Sequence, residues 1–148
     1  MKSYEEILTC EGFFLKETKG ISMEPMLRQG RDQSLIRRVE RELRKYDVVL
    51  FRRKNGQYVL HRIVGKRNGL FRIRGDNCMT EELVEQKQII GILEGYYRGQ
   101  TYVDCCKDLS YKAYVRKRVN TYPLRYILCK GKGFSNAAFR RVKRFFKK

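Results

Sequence analysis

Three apolar runs cut apart by two Asn-Gly dipeptides constrain the fold of this chain more than anything else in it. The runs occupy residues 46–53, 57–64 and 70–75, and Asn55-Gly56 and Asn68-Gly69 separate them. Both residues of an Asn-Gly pair tolerate positive φ, which a tight hairpin turn requires, so the middle of the chain reads as an antiparallel meander. Further strands are expected from Phe13 to Lys16 and from Gln88 to Tyr97. Ser3-Tyr4-Glu5-Glu6 has the form of a capping box and predicts a short helix over residues 4–9. Residues 34–45 stay open: Leu35-Ile36 suits a strand, whereas Val39 to Arg44 has helical spacing and high charge. The expected architecture is a mainly β, antiparallel sheet domain over residues 1–106 with a short N-terminal helix, followed by a basic, helical tail over residues 107–148.

A chain of 148 residues buries ~68–70% of the surface its unfolded form exposes, so it builds a core without covalent staples. Its five cysteines (Cys10, Cys78, Cys105, Cys106, Cys129) are odd in number and lack Cys-x-x-Cys spacing, and there is a single histidine. Neither a disulfide framework nor a metal site is favoured, and no metal or other cofactor is expected. Free thiols in a reducing cytoplasm are the expected state; a redox pair at Cys105-Cys106 is the alternative to two small buried apolar residues. No stretch approaches the ~18 apolar residues of a membrane span, and Glu5, Glu6 and Glu11 stand where a signal peptide needs an apolar centre.

Charge is distributed unevenly. From Lys107 to Lys148 there are 14 Lys/Arg against one acid, Asp108, so +13 of the net +18 resides in the tail. Such a field favours an anionic partner, a membrane surface or, as the weaker alternative, nucleic acid; a merely solvated basic face is the plain alternative. Residues 110–119 suit a basic helix, Asn120 to Pro123 and Gly131 to Gly133 break the pattern, and a last helix is expected from Ser135 with Phe134 and Phe139 as a hydrophobic staple. In that helix Ala138, Phe139, Val142, Phe145 and Phe146 recur at helical spacing among Lys and Arg, the composition of an in-plane interfacial helix.

The chemistry lies in three short blocks. Ser22 sits in Gly20-Ile21-Ser22-Met23-Glu24-Pro25-Met26-Leu27; the single histidine, His61, lies in the strand Tyr58 to Val64; the next strand runs into Arg74-Gly75-Asp76-Asn77. A serine hydroxyl is a poor nucleophile until a neighbouring base takes its proton, and His61 is the one imidazole available. Strand alternation sets His61 on one face with Val59 and Ile63, where apolar flanks favour the neutral ring. With a two-residue loop at Asn68-Gly69, Arg67 pairs with Leu70 and His61 falls opposite Asp76, within reach to accept from the ring N–H. A one-residue slip would set the two on opposite faces.

In this order and at these distances, together with Tyr46 to Phe51 and Ile89-Ile90-Gly91, the blocks resemble the signal peptidase and SOS-repressor superfamily of serine peptidases over residues 18 to 95. A histidine where housekeeping bacterial signal peptidases carry lysine resembles the branch typified by the endoplasmic-reticulum enzymes. The resemblance implies a mostly β signal-peptidase-like fold, Ser22 as nucleophile, His61 as general base and backbone amides, including that of Ser22, as oxyanion donors. It also supplies a competitor for the acidic role, because that branch carries an aspartate pair where this chain has Glu81 and Glu82. Asp76 is the first choice and Glu82 the next. The chain departs from its relatives in two respects: Gly20 stands where many bacterial enzymes use a hydroxyl to assist the oxyanion, and only 21 mostly polar residues precede Ser22, where a tethering helix or a DNA-binding domain is usual.

The expected function is therefore a cytoplasmic serine endopeptidase acting on a peptide or protein, such as a leader peptide, with its basic tail available to the inner face of a membrane. A self-cleaving regulator is a second reading, although the Ala-Gly and Cys-Gly bonds typical of such proteins are missing. The third is a non-enzymatic nucleic-acid binder that stacks bases on Tyr111, Tyr114, Phe139, Phe145 and Phe146.

Overall fold

The computed structural model describes residues 1–131. α1 (Tyr4–Glu11) begins at the capping box read from the sequence: the Glu6 amide donates to Ser3 Oγ and the Ser3 amide to the Glu6 carboxylate. Eight strands then follow among the described residues: β1 (Phe13–Glu17), β2 (Asp32–Arg37), β3 (Val48–Arg52), β4 (Tyr58–Arg67), β5 (Leu70–Arg74), β6 (Glu82–Val84), β7 (Ile89–Arg98) and β8 (Thr101–Asp104). They form one antiparallel sheet in the order β1-β2-β7-β3-β4-β5-β6, with β8 also paired to β7. The segment left open resolves into β2 and a non-helical stretch over 38–47, in which Asp47 accepts from the Arg44 amide and from Arg41.

β3 explains why the sheet holds together. Its run Val48-Val49-Leu50-Phe51 is buried on both faces. Val48 and Leu50 join Leu8, Met26, Leu27, Tyr96, Tyr111 and Val115 in one cluster, while Val49 and Phe51 join Ile63, Ile73, Val84 and Ile92 in the other. Each such side chain contributes ~1.5–3 kcal/mol when fully withdrawn from water. α2 (Leu109–Asn120), capped by Asp108, supplies Tyr111 and Val115 to the first cluster, so the start of the basic segment packs on the sheet. Thr121 interrupts the helix and residues 122–131 are helical again. The expected helix from Ser135, its Phe134/Phe139 staple and the aromatic residues Phe139, Phe145 and Phe146 lie outside the described residues.

The two Asn-Gly loops differ. Asn68 and Gly69, at φ 50° and 77°, form the two-residue turn expected, with Arg67 paired to Leu70. At the other, Gly56 (φ 88°) closes a three-residue loop in which the Gly56 amide donates to Arg53 O.

The register beyond Asn68-Gly69 corrects the sequence reading. Pairing runs Arg67↔Leu70, Lys66↔Phe71, Gly65↔Arg72, then shifts to Ile63↔Ile73 and Arg62↔Arg74. Val64 is the extra residue of a β-bulge, and past it each β4 residue meets a β5 residue one position earlier than an unbroken ladder would give. Continuing that register brings His61 to Gly75 instead of Asp76. The loop length was as expected; the slip arises within the strand.

Arg62 and His61, adjacent in β4, face opposite ways, and the shifted register decides which acid each one meets. Arg62, with no exposed surface, forms a fork to Asp76 (Nε to Oδ1 2.7 Å, Nη2 to Oδ2 2.8 Å) and donates to Tyr46 O and the Tyr111 hydroxyl. Tyr114 O–H donates to Asp76 Oδ2 at 2.9 Å, and Arg118 and Arg125 donate to the Asp76 carbonyl. Tyr111 is thus buried and Tyr114 committed to Asp76, so neither is a free stacking platform. Removing one partner of a buried ion pair strands the other charge at a cost of ~3–5 kcal/mol. Asp76→Ala is accordingly expected to lower the unfolding free energy by about that amount in urea titrations, whereas Glu40→Ala, which breaks only the exposed pair with Arg38, is expected to cost ~1 kcal/mol or less.

Candidate active site

Ser22 lies in a tight loop between β1 and β2 that is anchored from below. Met23, Met26 and Leu27 are buried in the first core cluster, while Pro25 is exposed. From the side, the loop is held by the segment after β5: the Asn77 amide donates to Ser22 O at 2.8 Å and Asn77 Nδ2 to Ile21 O at 3.1 Å. The Gly20 amide donates to Gln29 Oε1, which ties the loop to its own exit.

Gly75 is where the two reactive residues converge. A Cβ there would fall 2.6 Å from Ser22 O, 2.7 Å from Cys78 Sγ and 3.0 Å from His61 Nε2. Any side chain would push apart the serine loop and the imidazole, so the absence of one is what allows their approach. Ser22 and His61 both line a cleft of about 420 Å³, with Lys16, Thr18, Met23, Leu27, Ser34, Tyr58 and Leu60 among its other walls.

His61 is buried, and its two nitrogens face different groups. Nε2 points toward Gly75 and the serine loop; Nδ1 is buried, lies 3.7 Å from Glu82 Oε1 and has no hydrogen-bond partner among the described residues. Glu82 sits on β6 opposite Ile73 and receives a fork from Arg53, Nε to Oε2 at 2.7 Å and Nη2 to Oε1 at 2.5 Å. That pairing lowers the Glu82 pKa, chiefly through the Arg53 hydrogen bond, so the group remains a carboxylate. Desolvation is the first cause of the lowered His61 pKa; Arg53 adds to it, while Glu82 and more weakly Asp76 oppose it. The imidazole is therefore held neutral, the form that accepts a proton.

Of the four residues singled out from sequence, the structure brings Ser22 and His61 to one cleft and Glu82 to 3.7 Å from His61 Nδ1. It does not bring Asp76 to His61, because that carboxylate is engaged by Arg62 and Tyr114 on the other face of the sheet. Glu81, the other acid considered, pairs with Arg72 and Arg74. Arg53 and Cys78 were not anticipated. Arg53 stands two residues beyond Phe51, so strand alternation already assigned it to the His61 face. Cys78 lines the cleft, and desolvation raises its thiol pKa, which keeps it protonated. No group of three or more His, Cys, Asp or Glu side chains among the described residues is arranged to hold a metal ion. The cysteines within that range are all free, and no helix there is long and apolar enough to cross a membrane.

No protein-family model matches the chain, and no curated protein matches it.

The opposing influences on His61 give a signed expectation. Glu82→Gln removes a charge that favours the imidazolium and is expected to move the His61 titration further down; Arg53→Met removes a charge that disfavours it and is expected to move the titration up. The single histidine makes this measurable by proton NMR without assignment. A titration indifferent to both substitutions would contradict the arrangement around Nδ1.

Proposed function

We propose that this protein is a serine endopeptidase in which Ser22 is the nucleophile, His61 the general base and Glu82 the acid that orients the imidazole. The observation that carries the reading is the two-sided placement of His61, with Nε2 toward Gly75 and the serine loop and Nδ1 toward Glu82. A proton on Nδ1 leaves Nε2 free to accept one, and the Glu82 carboxylate favours that tautomer; the 3.7 Å separation is of the kind that tightens when substrate is bound. The fold supports the resemblance to signal-peptidase-like enzymes in class, as a mainly β, antiparallel sheet.

In the proposed reaction Ser22 Oγ attacks the scissile carbonyl carbon and its proton passes to His61 Nε2. The oxyanion is met by backbone amides, that of Ser22 among them. Collapse breaks the C–N bond, and His61 returns the proton to the leaving amine. Water then attacks the acyl-enzyme with His61 again as base, releasing the acid and restoring the serine hydroxyl. An extended substrate has two strand edges beside the cleft to join. Among the described residues, β1 pairs only with β2, and β4 over residues 58–61 pairs only with β3, its pairing to β5 beginning at Arg62↔Arg74. Lys16 to Lys19 and Tyr58 to His61 both line the cleft, which suits strand addition.

The reading extends to a cytoplasmic location, in keeping with free thiols, and to an anionic membrane surface as partner of the basic tail. Self-cleavage and nucleic-acid binding are not favoured by any contact described above.

A serine-directed fluorophosphonate tests the enzyme reading. Intact mass spectrometry is expected to find one adduct on the wild-type protein and none on Ser22→Ala, which keeps its fold because the loop is anchored by Met23, Met26 and Leu27. An equal adduct on both proteins would refute the assignment. His61→Ala is expected to slow labelling by ~10²–10⁴-fold. Since burial lowers the His61 pKa, the labelling rate of the wild type is expected to be level through neutral pH and to fall only below the usual imidazole range.

A further inference from the structure

The vicinal cysteines take no part in the proposed reaction, and the structure gives the two thiols different surroundings. Cys105 is partly buried: the Tyr111 hydroxyl donates to its sulfur, and burial pushes its thiol pKa up to about 12. In that state it is a poor nucleophile. Cys106, in the turn ahead of α2, is exposed, and its sulfur lies beside the Arg41 guanidinium. Both cysteines line a cavity of about 240 Å³ that shares no wall residue with the cleft of Ser22 and His61.

Cations dominate the polar lining of this cavity. Lys112 and Arg116, one turn apart on α2, are exposed and form no ion pair among the described residues. Asp47, the one acid among the described lining residues, is taken up by a fork from Arg41 and by the Arg44 amide. Asp104 and Asp108, which flank the cysteines in sequence, turn to backbone amides: Asp104 Oδ1 accepts from Cys106 and Lys107, and Asp108 Oδ1 accepts from Tyr111. Val48, Leu93 and Val115 supply an apolar wall. An exposed thiol in such a field meets anionic reagents at a raised local concentration.

We propose that Cys106 is a modification site for small anionic disulfides, glutathione disulfide being the type, with Lys112 and Arg116 receiving the carboxylates of the half that becomes attached. The step is thiol–disulfide exchange. Cys106 gives its proton to water, its thiolate attacks one sulfur of the disulfide, the S–S bond breaks, and the departing half leaves as a thiolate that takes up a proton. Cys106 is thereby oxidised to a mixed disulfide and the departing half is reduced. Cys105 does not carry the exchange further, since its thiol is partly buried and held by Tyr111, so the attached group stays on Cys106. Nothing in this step depends on Ser22.

The test treats the full chain, with its cysteines reduced, at neutral pH and low salt with glutathione disulfide, which is anionic, and in parallel with cystamine, which is cationic. Adducts are followed by intact mass and placed by peptide mapping. Glutathione disulfide is expected to add first at Cys106, ~10-fold faster than cystamine does there. That ratio is expected to exceed the one at Cys10, an exposed thiol on α1 that shares the protein's overall charge but does not line the cavity. Lys112→Gln combined with Arg116→Gln, both at exposed positions, is expected to bring the Cys106 ratio down to the Cys10 value, and added salt is expected to narrow it in the wild type. First modification at another cysteine would overturn the inference. So would equal ratios at Cys106 and Cys10, a ratio untouched by the double substitution and by salt, or loss of the adduct to a Cys105–Cys106 disulfide.

Discussion

The buried ion pair between Arg62 and Asp76 is the constraint on which the rest of this structure hangs. A guanidinium with no exposed surface needs a carboxylate and further acceptors, and it finds them in Asp76, Tyr46 O and the Tyr111 hydroxyl. Those partners come from the end of β5, the approach to β3 and α2, so one charged group fixes three separate segments. The fold is thereby committed to a particular path for residues 75–78, and that path seats the serine loop through the Asn77 amide. Desolvating the two charges offsets much of their mutual attraction, so the pair's value here is in specifying geometry more than in net stability.

The bulge at Val64 makes this arrangement possible. Adjacent strand residues face opposite ways, so His61 and Arg62 were bound to divide between two faces. The bulge decides which carboxylate each one meets. Arg62 takes Asp76 on the α2 side, and His61 turns with Phe51 toward Glu82 and Arg53 on the other side. Two acids are therefore employed in different work, one as a structural counter-ion and one beside the imidazole.

Much of this was legible in the chain. The Asn-Gly punctuation and the capping box at Ser3 and Glu6 report local geometry that no tertiary contact overrides, and the Ser22 loop carries its own apolar anchors. The register was not legible by counting from the turn, because one extra residue inside a strand changes every partner beyond it. Gly65 was the available signal, since a glycine within a strand marks a bulge or a close approach. Arg62 offered another: an arginine in the middle of an apolar strand, on the face opposite His61, calls for a buried acid, and Asp76 follows the next strand.

The account turns on Ser22 and His61 acting as a unit, and the lone imidazole allows that to be measured directly. Its proton NMR titration should be recorded before and after a phosphonate is attached to the protein. If Ser22 carries the adduct beside Nε2, hydrolysis of the remaining ester group leaves a phosphonate anion that stabilises the imidazolium, and the His61 titration moves to higher pH than in the free protein. A titration unchanged by the adduct would mean that the histidine does not face the modified serine, and the proposed catalytic unit would not exist.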